Sequence, residues 1–103
     1  MYRLEYLPTA KQDMVKIAQY ISHELSNPTA AERLASEMIE AAEKLTDFPY
    51  SHAVYHPIRS LQQEYRSILV KNYLMFYYVN EVQKLITIAQ VIYARRDYDK
   101  LLD

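Results

Sequence analysis

The order of the hydrophobic patterns is the feature that most constrains how this chain folds. Residues 2–7 alternate in hydrophobicity, which is typical of a strand. Residues 10–25 and 28–45 then carry apolar side chains at helical spacing. Strand patterns cover residues 64–71, 73–80 and 84–92. Because the helices are contiguous and do not alternate with strands, the order predicts an α+β fold. In it an N-terminal strand and a helix hairpin precede a mainly antiparallel three-stranded meander, and one sheet carries the helices on one face.

Local signals predict where the two helices begin and end. Pro8 ends the first strand, and Thr9 with Gln12 matches a capping box that starts the first helix. Asn27-Pro28 predicts the second start, since asparagine caps well and proline suits the first helical position. Asp47-Phe48-Pro49 ends this helix, because a residue before proline avoids the helical region. The short link between the helices predicts an antiparallel hairpin.

The second half of the chain predicts a loop followed by three strands. Residues 50–60 lack periodicity and form the loop. The strand at 73–80 is apolar on both faces, which predicts a central position in the sheet. Lys71-Asn72 and Asn80-Glu81 fall where turns are needed, and asparagine tolerates the left-handed conformation in a chain without glycine.

Length and composition limit the possible functions. The 103 residues fit one domain, 1–103. With no cysteine, the chain has no disulfide, no catalytic thiolate and no cysteine-ligated zinc. With no glycine, it lacks a phosphate-binding loop and a dinucleotide-binding fingerprint. The start of the chain shows no secretory signal, and the longest apolar run, 73–79, is far below the ~20 residues of a membrane helix. We therefore expect a cytoplasmic protein without a cofactor.

The charges are distributed unevenly, although the net charge is only −1. Residues 1–51 hold five Lys/Arg and eight Asp/Glu, giving −3, whereas residues 52–103 hold seven and five, giving +2. An anionic partner is therefore expected at the second half. A strong nucleic-acid binder would carry a more basic balance.

Several short segments, in their order and spacing, resemble a known family. They are Leu45-Thr46-Asp47-Phe48-Pro49, Glu64-Tyr65-Arg66, Asn72-Tyr73-Leu74, Phe76-Tyr77-Tyr78-Val79 and the run Ile88 to Tyr98. Together they resemble the RelE/ParE toxin superfamily, and especially its plasmid stabilisation proteins, over nearly the whole chain. The resemblance implies the toxin of a bacterial type II toxin–antitoxin pair, bound by a cognate antitoxin. Its target would be DNA gyrase or messenger RNA on the ribosome.

The RNA-cleaving alternative can be compared with the residues present. Metal-free cleavage needs a base, an acid, cations and an aromatic ring that stacks a base. Side chains of these types in the second half are His52, His56, Arg59, Arg66, Lys71, Tyr93, Arg95, Arg96 and Tyr98. In an endoribonuclease of this family, the catalytic residues would be Arg66, Arg95, Arg96 and Tyr98. Leu74 occupies the strand position where such nucleases usually carry an arginine, and it cannot stabilise charge. Inhibition of gyrase is therefore the favoured function, and RNA cleavage is the alternative.

The resemblance also predicts two binding surfaces. The residues expected to contact the target are Arg59, Lys71, Arg95, Arg96 and Tyr98. Those expected to contact the antitoxin, on a sheet face left open by the helices, are Tyr73, Phe76, Tyr78, Leu101 and Leu102. The alternative is that Arg66 and Lys71 are ordinary solvent-facing residues, and that the tail forms local ion pairs. No metal site is expected, and a homodimer or a heterotetramer with antitoxin is possible.

Overall fold

The computed structural model describes residues 1–56 and 61–95. Its elements are β1 (Arg3–Tyr6), α1 (Pro8–Gln19), a π-helical turn (Tyr20–Glu24), α2 (Pro28–Lys44), β2 (Arg66–Val70), β3 (Tyr73–Asn80) and β4 (Leu85–Tyr93). Every strand and helix predicted from the sequence is present. No helix in the described part of the chain is both long and apolar enough to cross a membrane.

The described strands form one four-stranded sheet in the order β1-β4-β3-β2. Strands β2, β3 and β4 make the predicted antiparallel meander, and β3 lies inside the sheet as expected. Strand β1 is inserted beside β4 and runs parallel to it, from the pair Arg3↔Leu85 to the pair Tyr6↔Ile88. The α+β prediction is confirmed, and the sheet is mixed.

A β-bulge interrupts β4 where β1 ends. Tyr77 pairs with Ile88 and Phe76 with Gln90, so Ala89 has no partner in this register. The extra residue reverses the alternation of side chains between the two faces of β4.

The first turn of α1 completes the hydrogen bonding of β4 beyond this bulge. The Thr9 hydroxyl donates to the Ala89 carbonyl at 2.7 Å, and the Val91 N–H donates to the Asp13 carboxylate at 3.0 Å. The capping-box prediction for Thr9 is therefore wrong. The helix begins at Pro8, whose missing N–H costs nothing there, and its N-terminus has no side-chain cap.

The two helices differ in how closely they follow their local signals. The start of α2 is as predicted, because Asn27 Oδ1 accepts the Ala30 N–H at 3.1 Å and Pro28 is the first helical residue. The α-helical part of α1 stops at Gln19, earlier than predicted, and the Leu25 N–H bonds to the Tyr20 carbonyl across a wider turn. The spacing of Ile17, Ile21 and Leu25 in the sequence predicts that Leu25 lies on the apolar face of the first helix. Because this turn changes the helical phase, Leu25 is instead 56% exposed.

Apolar side chains cover both faces of the sheet. The helix-side core contains Met38, Met75, Tyr77, Ile86 and Ile88. The opposite face has a smaller core of Tyr65, Phe76, Ala89 and Ile92, against which Tyr55, Leu61, Leu74 and Tyr78 pack. The segment after α2 thus covers the face that sequence reasoning left open.

The left-handed residues are not the predicted asparagines. Positive φ occurs at Lys71 (55°) and Lys84 (52°) in the two hairpin turns. Asn80 acts through its side chain instead, since its Oδ1 accepts the Gln83 N–H at 3.0 Å. Asparagine shapes this turn by hydrogen bonding to the backbone and not by its own φ.

Candidate functional site

A groove of about 880 Å³ opens where the tip of the helix hairpin meets the end of the sheet. One wall comes from the π-helical turn and the start of α2, and the other from the β2–β3 turn and the end of β4. We call it the tyrosine groove, and its main lining residues are Tyr20, Leu25, Arg33, Lys71, Tyr73 and Tyr93.

Three aromatic rings give the tyrosine groove its character. The rings of Tyr73 and Tyr93 meet edge to face with centroids 5.7 Å apart. Tyr20 lines the same groove from the helical side. Burial raises the pKa of Tyr73, and the phenols of Tyr20 and Tyr93 raise it further. Tyr20 is 52% exposed and Leu25 56%. Large apolar side chains are therefore open to a ligand at the rim.

The charges of the tyrosine groove have one sign. Arg33 and Lys71 line it, and none of its described lining residues carries a carboxylate. Outside the groove, the Glu37 Oε1 lies 3.8 Å from the Lys71 ammonium. A surface of tyrosines and cations suits a ligand that offers apolar and acidic side chains together.

Arg66, a candidate catalytic residue, holds a loop in place. Its guanidinium donates to the His52 carbonyl at 2.7 Å, lies 3.7 Å from the Glu64 carboxylate and sits 4.9 Å above the Tyr50 ring. Only 16% of the side chain is exposed. These contacts tie the segment after α2 to the sheet edge, and the alternative of a plain solvent-facing residue is wrong for Arg66.

Arg66 and Arg95 are separated along the sheet. Arg66 pairs with Tyr77. Arg95 follows Tyr93, which pairs with Tyr73, and the Ala94 N–H reaches Asn72 O at 2.8 Å. Tyr77 and Tyr73 are four residues of extended strand apart, about 13 Å. The exposed Arg95 therefore lies at the end of the sheet that carries the β2–β3 turn, where Lys71, its companion in the predicted target-binding set, also lies.

The predicted antitoxin surface does not form one face. Tyr73 points to the helix side, whereas Tyr78 packs against the opposite core, with its ring centroid 5.8 Å from that of Tyr65. Phe76 has no exposed area and belongs to that core, so placing its ring on an open surface was wrong. Of these described residues only Tyr73 lines the tyrosine groove.

Five predicted site residues lie outside the described part of the chain. They are Arg59, Arg96, Tyr98, Leu101 and Leu102.

Sequence reasoning missed the helical wall of the tyrosine groove. In the sequence, Tyr20 does not share the helical spacing of Met14, Ile17 and Ile21, and Arg33 lies on the charged side of residues 28–45, away from the apolar positions. The π-helical turn brings Tyr20 beside Tyr73, and no residue type in residues 20–24 signals such a turn. The one usable signal was Leu25, an apolar residue directly before the polar link between the helices.

Solved structures of toxin–antitoxin proteins share this fold. The chain is similar to the chromosomal ParDE system from P. aeruginosa, with TM-score 0.73 and 16% identity over 92% of this chain and 98% of that one. It is also similar to the RelBE2 toxin–antitoxin complex of Mycobacterium tuberculosis, with TM-score 0.63 and 19% identity over 89% of this chain and 96% of that one. Another similar structure is the intact RelBE toxin–antitoxin complex of E. coli, with TM-score 0.58 and 17% identity over 93% of this chain and 100% of that one. The architecture is that of a RelE/ParE-type toxin.

The family follows from the sequence profile of the ParE toxins of type II toxin–antitoxin systems, parDE, which matches residues 4–98. The chain belongs to this ParE toxin family. No curated protein matches it in sequence.

Proposed function

We propose that this toxin acts in the cytoplasm by binding and inhibiting DNA gyrase, and that a cognate antitoxin neutralises it. The match to the ParE toxin profile over residues 4–98 carries the proposal. Inhibition of gyrase requires that the chain bind the enzyme, and it requires no catalysis by the side chains of the toxin.

The positions of the candidate catalytic residues support binding over RNA cleavage. Stabilising a phosphorane-like charge needs cations that converge on one point. Arg66 is engaged with His52 and Tyr50, and Arg95 follows a row of the sheet about four strand residues away. Leu74, at the position of the nuclease arginine, packs against the core on the face away from the helices.

The tyrosine groove is the proposed docking site for the antitoxin. An amphipathic segment of the antitoxin would place its apolar side chains against Tyr20 and Tyr93. Its acidic side chains would then lie against Arg33 and Lys71. Partly exposed tyrosines beside an arginine are the residue types that dominate binding energy at protein interfaces.

Two assays with the purified chain test the target. We expect it to block supercoiling of relaxed plasmid by gyrase and to leave a message intact on programmed ribosomes. Lys71→Ala with Arg95→Ala should weaken the block, because both cations are exposed at the same end of the sheet. Lys16→Ala, which removes an exposed cation of α1, is the matched control.

Cleavage of the message at phased positions, with supercoiling unaffected, would contradict gyrase inhibition and establish the endoribonuclease alternative.

Antitoxin docking is tested by titration with the antitoxin encoded beside the toxin. Tyr93→Ala and Arg33→Glu should each weaken binding by roughly tenfold or more, as for central interface residues. Lys16→Glu changes a charge outside the groove and should leave affinity unchanged. If all three variants bound the antitoxin as tightly as the wild type does, the antitoxin would dock outside the tyrosine groove.

A further inference from the structure

Lys71 lies between two grooves of the structure. One is the tyrosine groove, and the other, of about 620 Å³, runs between α2 and β2 with Glu37, Glu40 and Leu69 among its lining residues. We call the second one the edge groove. Lys71 lines both grooves, whereas Glu37 lines the edge groove and not the tyrosine groove. The ion pair between Glu37 and Lys71 therefore draws the ammonium of Lys71 toward the edge groove.

The contact between Glu37 and Lys71 is a loose ion pair. Its N–O distance of 3.8 Å is longer than that of a hydrogen bond, which is about 2.7–3.2 Å. The Lys71 side chain is also 62% exposed and that of Glu37 36% exposed. The lysine of the other hairpin turn, Lys84, instead donates a hydrogen bond to Glu81. Because exposed ion pairs stabilise a fold little, the carboxylate of a partner can replace that of Glu37 without loss of the fold.

Glu37 is placed to act on Lys71 more than on Arg33, the other cation of the tyrosine groove. Along α2 it follows Arg33 by four residues, so the two side chains lie one turn apart on the same helix face. A basic residue followed by an acidic one is the weaker order for such a pair. The Glu37 carboxylate reaches instead to the β2–β3 turn, where it meets Lys71. Its effect on the tyrosine groove is therefore exerted mainly through Lys71.

We propose that Glu37 is an internal competitor for the acidic ligand of the tyrosine groove. It holds the Lys71 ammonium in the free toxin, and a carboxylate of the antitoxin takes its place on binding. Glu37 is thus a positioning residue, and it determines how strongly the groove prefers an acidic ligand to a neutral one. The proposal rests on the docking of the antitoxin in the tyrosine groove.

Titration of Glu37→Gln with the antitoxin encoded beside the toxin tests the competition. The substitution removes the charge and keeps the shape of the side chain. We expect binding to become roughly threefold tighter at low ionic strength, since an exposed ion pair contributes little. The gain should disappear at about 1 M salt, where charges are screened beyond about 3 Å, whereas a purely structural effect would persist. Unchanged or weaker binding of Glu37→Gln at low ionic strength would overturn the proposal.

Two further variants show whether Glu37 acts through Lys71. Glu40→Gln makes the same change of charge on α2, in the edge groove but further from Arg33, and should leave the affinity within error. Lys71→Gln should weaken binding, and most of the gain from Glu37→Gln should be lost when Lys71→Gln is also present. A full gain in that double variant would show that Glu37 repels the antitoxin independently of Lys71, which would refute the positioning role.

Tyr93→Ala, measured in the same titrations, separates this proposal from the docking on which it rests. If Tyr93→Ala weakens binding and Glu37→Gln leaves it unchanged, the antitoxin docks in the tyrosine groove and the competitor role of Glu37 is wrong. If neither variant changes the affinity, the antitoxin docks outside the groove and both proposals fail.

Discussion

Phe76 holds the segment after α2 against the sheet. Its ring is fully buried and meets Tyr55 and Tyr65 edge to face, with centroids 5.5 Å and 6.4 Å away. Edge-to-face aromatic pairs add to the energy of burial alone. This residue therefore stabilises the face of the sheet that has no helix.

Replacing Phe76 with alanine should lower the free energy of unfolding by about 3–5 kcal/mol, because it leaves a cavity among the aromatic rings. Chemical denaturation followed by circular dichroism measures the change. Val82→Ala, at a 96% exposed site, should leave the midpoint within error. An equally small change for Phe76→Ala would show that the second core contributes little.

At the scale of single residues, the sequence predicts which side chains are buried better than it predicts which face of the sheet they lie on. The strand from Tyr73 to Asn80 is apolar at nearly every position, so its period cannot reveal which side chains face the helices. The helices and the segment after α2 decide that Tyr73 belongs to a groove and Phe76 to a core.

At the scale of elements, one carboxylate joins three segments. Glu81, in the β3–β4 turn, accepts hydrogen bonds from the hydroxyls of Tyr2 before β1 and Tyr50 after α2. It also pairs with the Lys84 ammonium, which lies 5.1 Å from the centroid of the Tyr2 ring. These bonds, that of Lys84 foremost, lower the pKa of Glu81 from 4.5 to about 2.

Because the pKa of Glu81 is lowered in the folded chain, the free energy of unfolding depends on pH. The contribution of Glu81 is complete above its ordinary pKa of 4.5 and is lost as the pH falls through about 2. Glu81→Gln should therefore be less stable than wild type at neutral pH, and the difference should shrink between these two values. Urea titrations at a series of pH values measure it, with Val82→Ala in the same turn as a pH-independent control. A constant difference down to pH 2 would show that the ionised carboxylate contributes nothing.

Features that depend on neighbouring residues in the sequence were predictable, and features that depend on residues far away in the sequence were not. Asn27 and Pro28 specify the start of α2 within a few residues of chain. The bonding of Thr9 depends instead on the bulge at Ala89, whose carbonyl accepts the Thr9 hydroxyl although the two residues are far apart in the sequence. The helical wall of the tyrosine groove was missed for a related reason, since Tyr20 reaches it through a turn without a sequence signature.

At the scale of the whole molecule, β4 is the element on which the rest depends. It contributes Ile86 and Ile88 to the helix-side core and Ala89 and Ile92 to the other. A chain that stops after Asn80 should therefore lack a cooperative unfolding transition, whereas the full chain shows one. Circular dichroism and urea titration compare the two. A sharp transition in the shortened chain would show that β1 to β3 fold without β4.

The parallel pairing of β1 with β4 has a consequence for biosynthesis. Arg3 is synthesised well before its partner Leu85, because most of the described elements lie between them in the chain. At about 5–20 residues per second, a nascent chain spends several seconds with its first strand unpaired and neither core closed. Synthesis interrupted before β4 then releases a fragment that proteases can degrade, and the toxin folds only after β4 has been made.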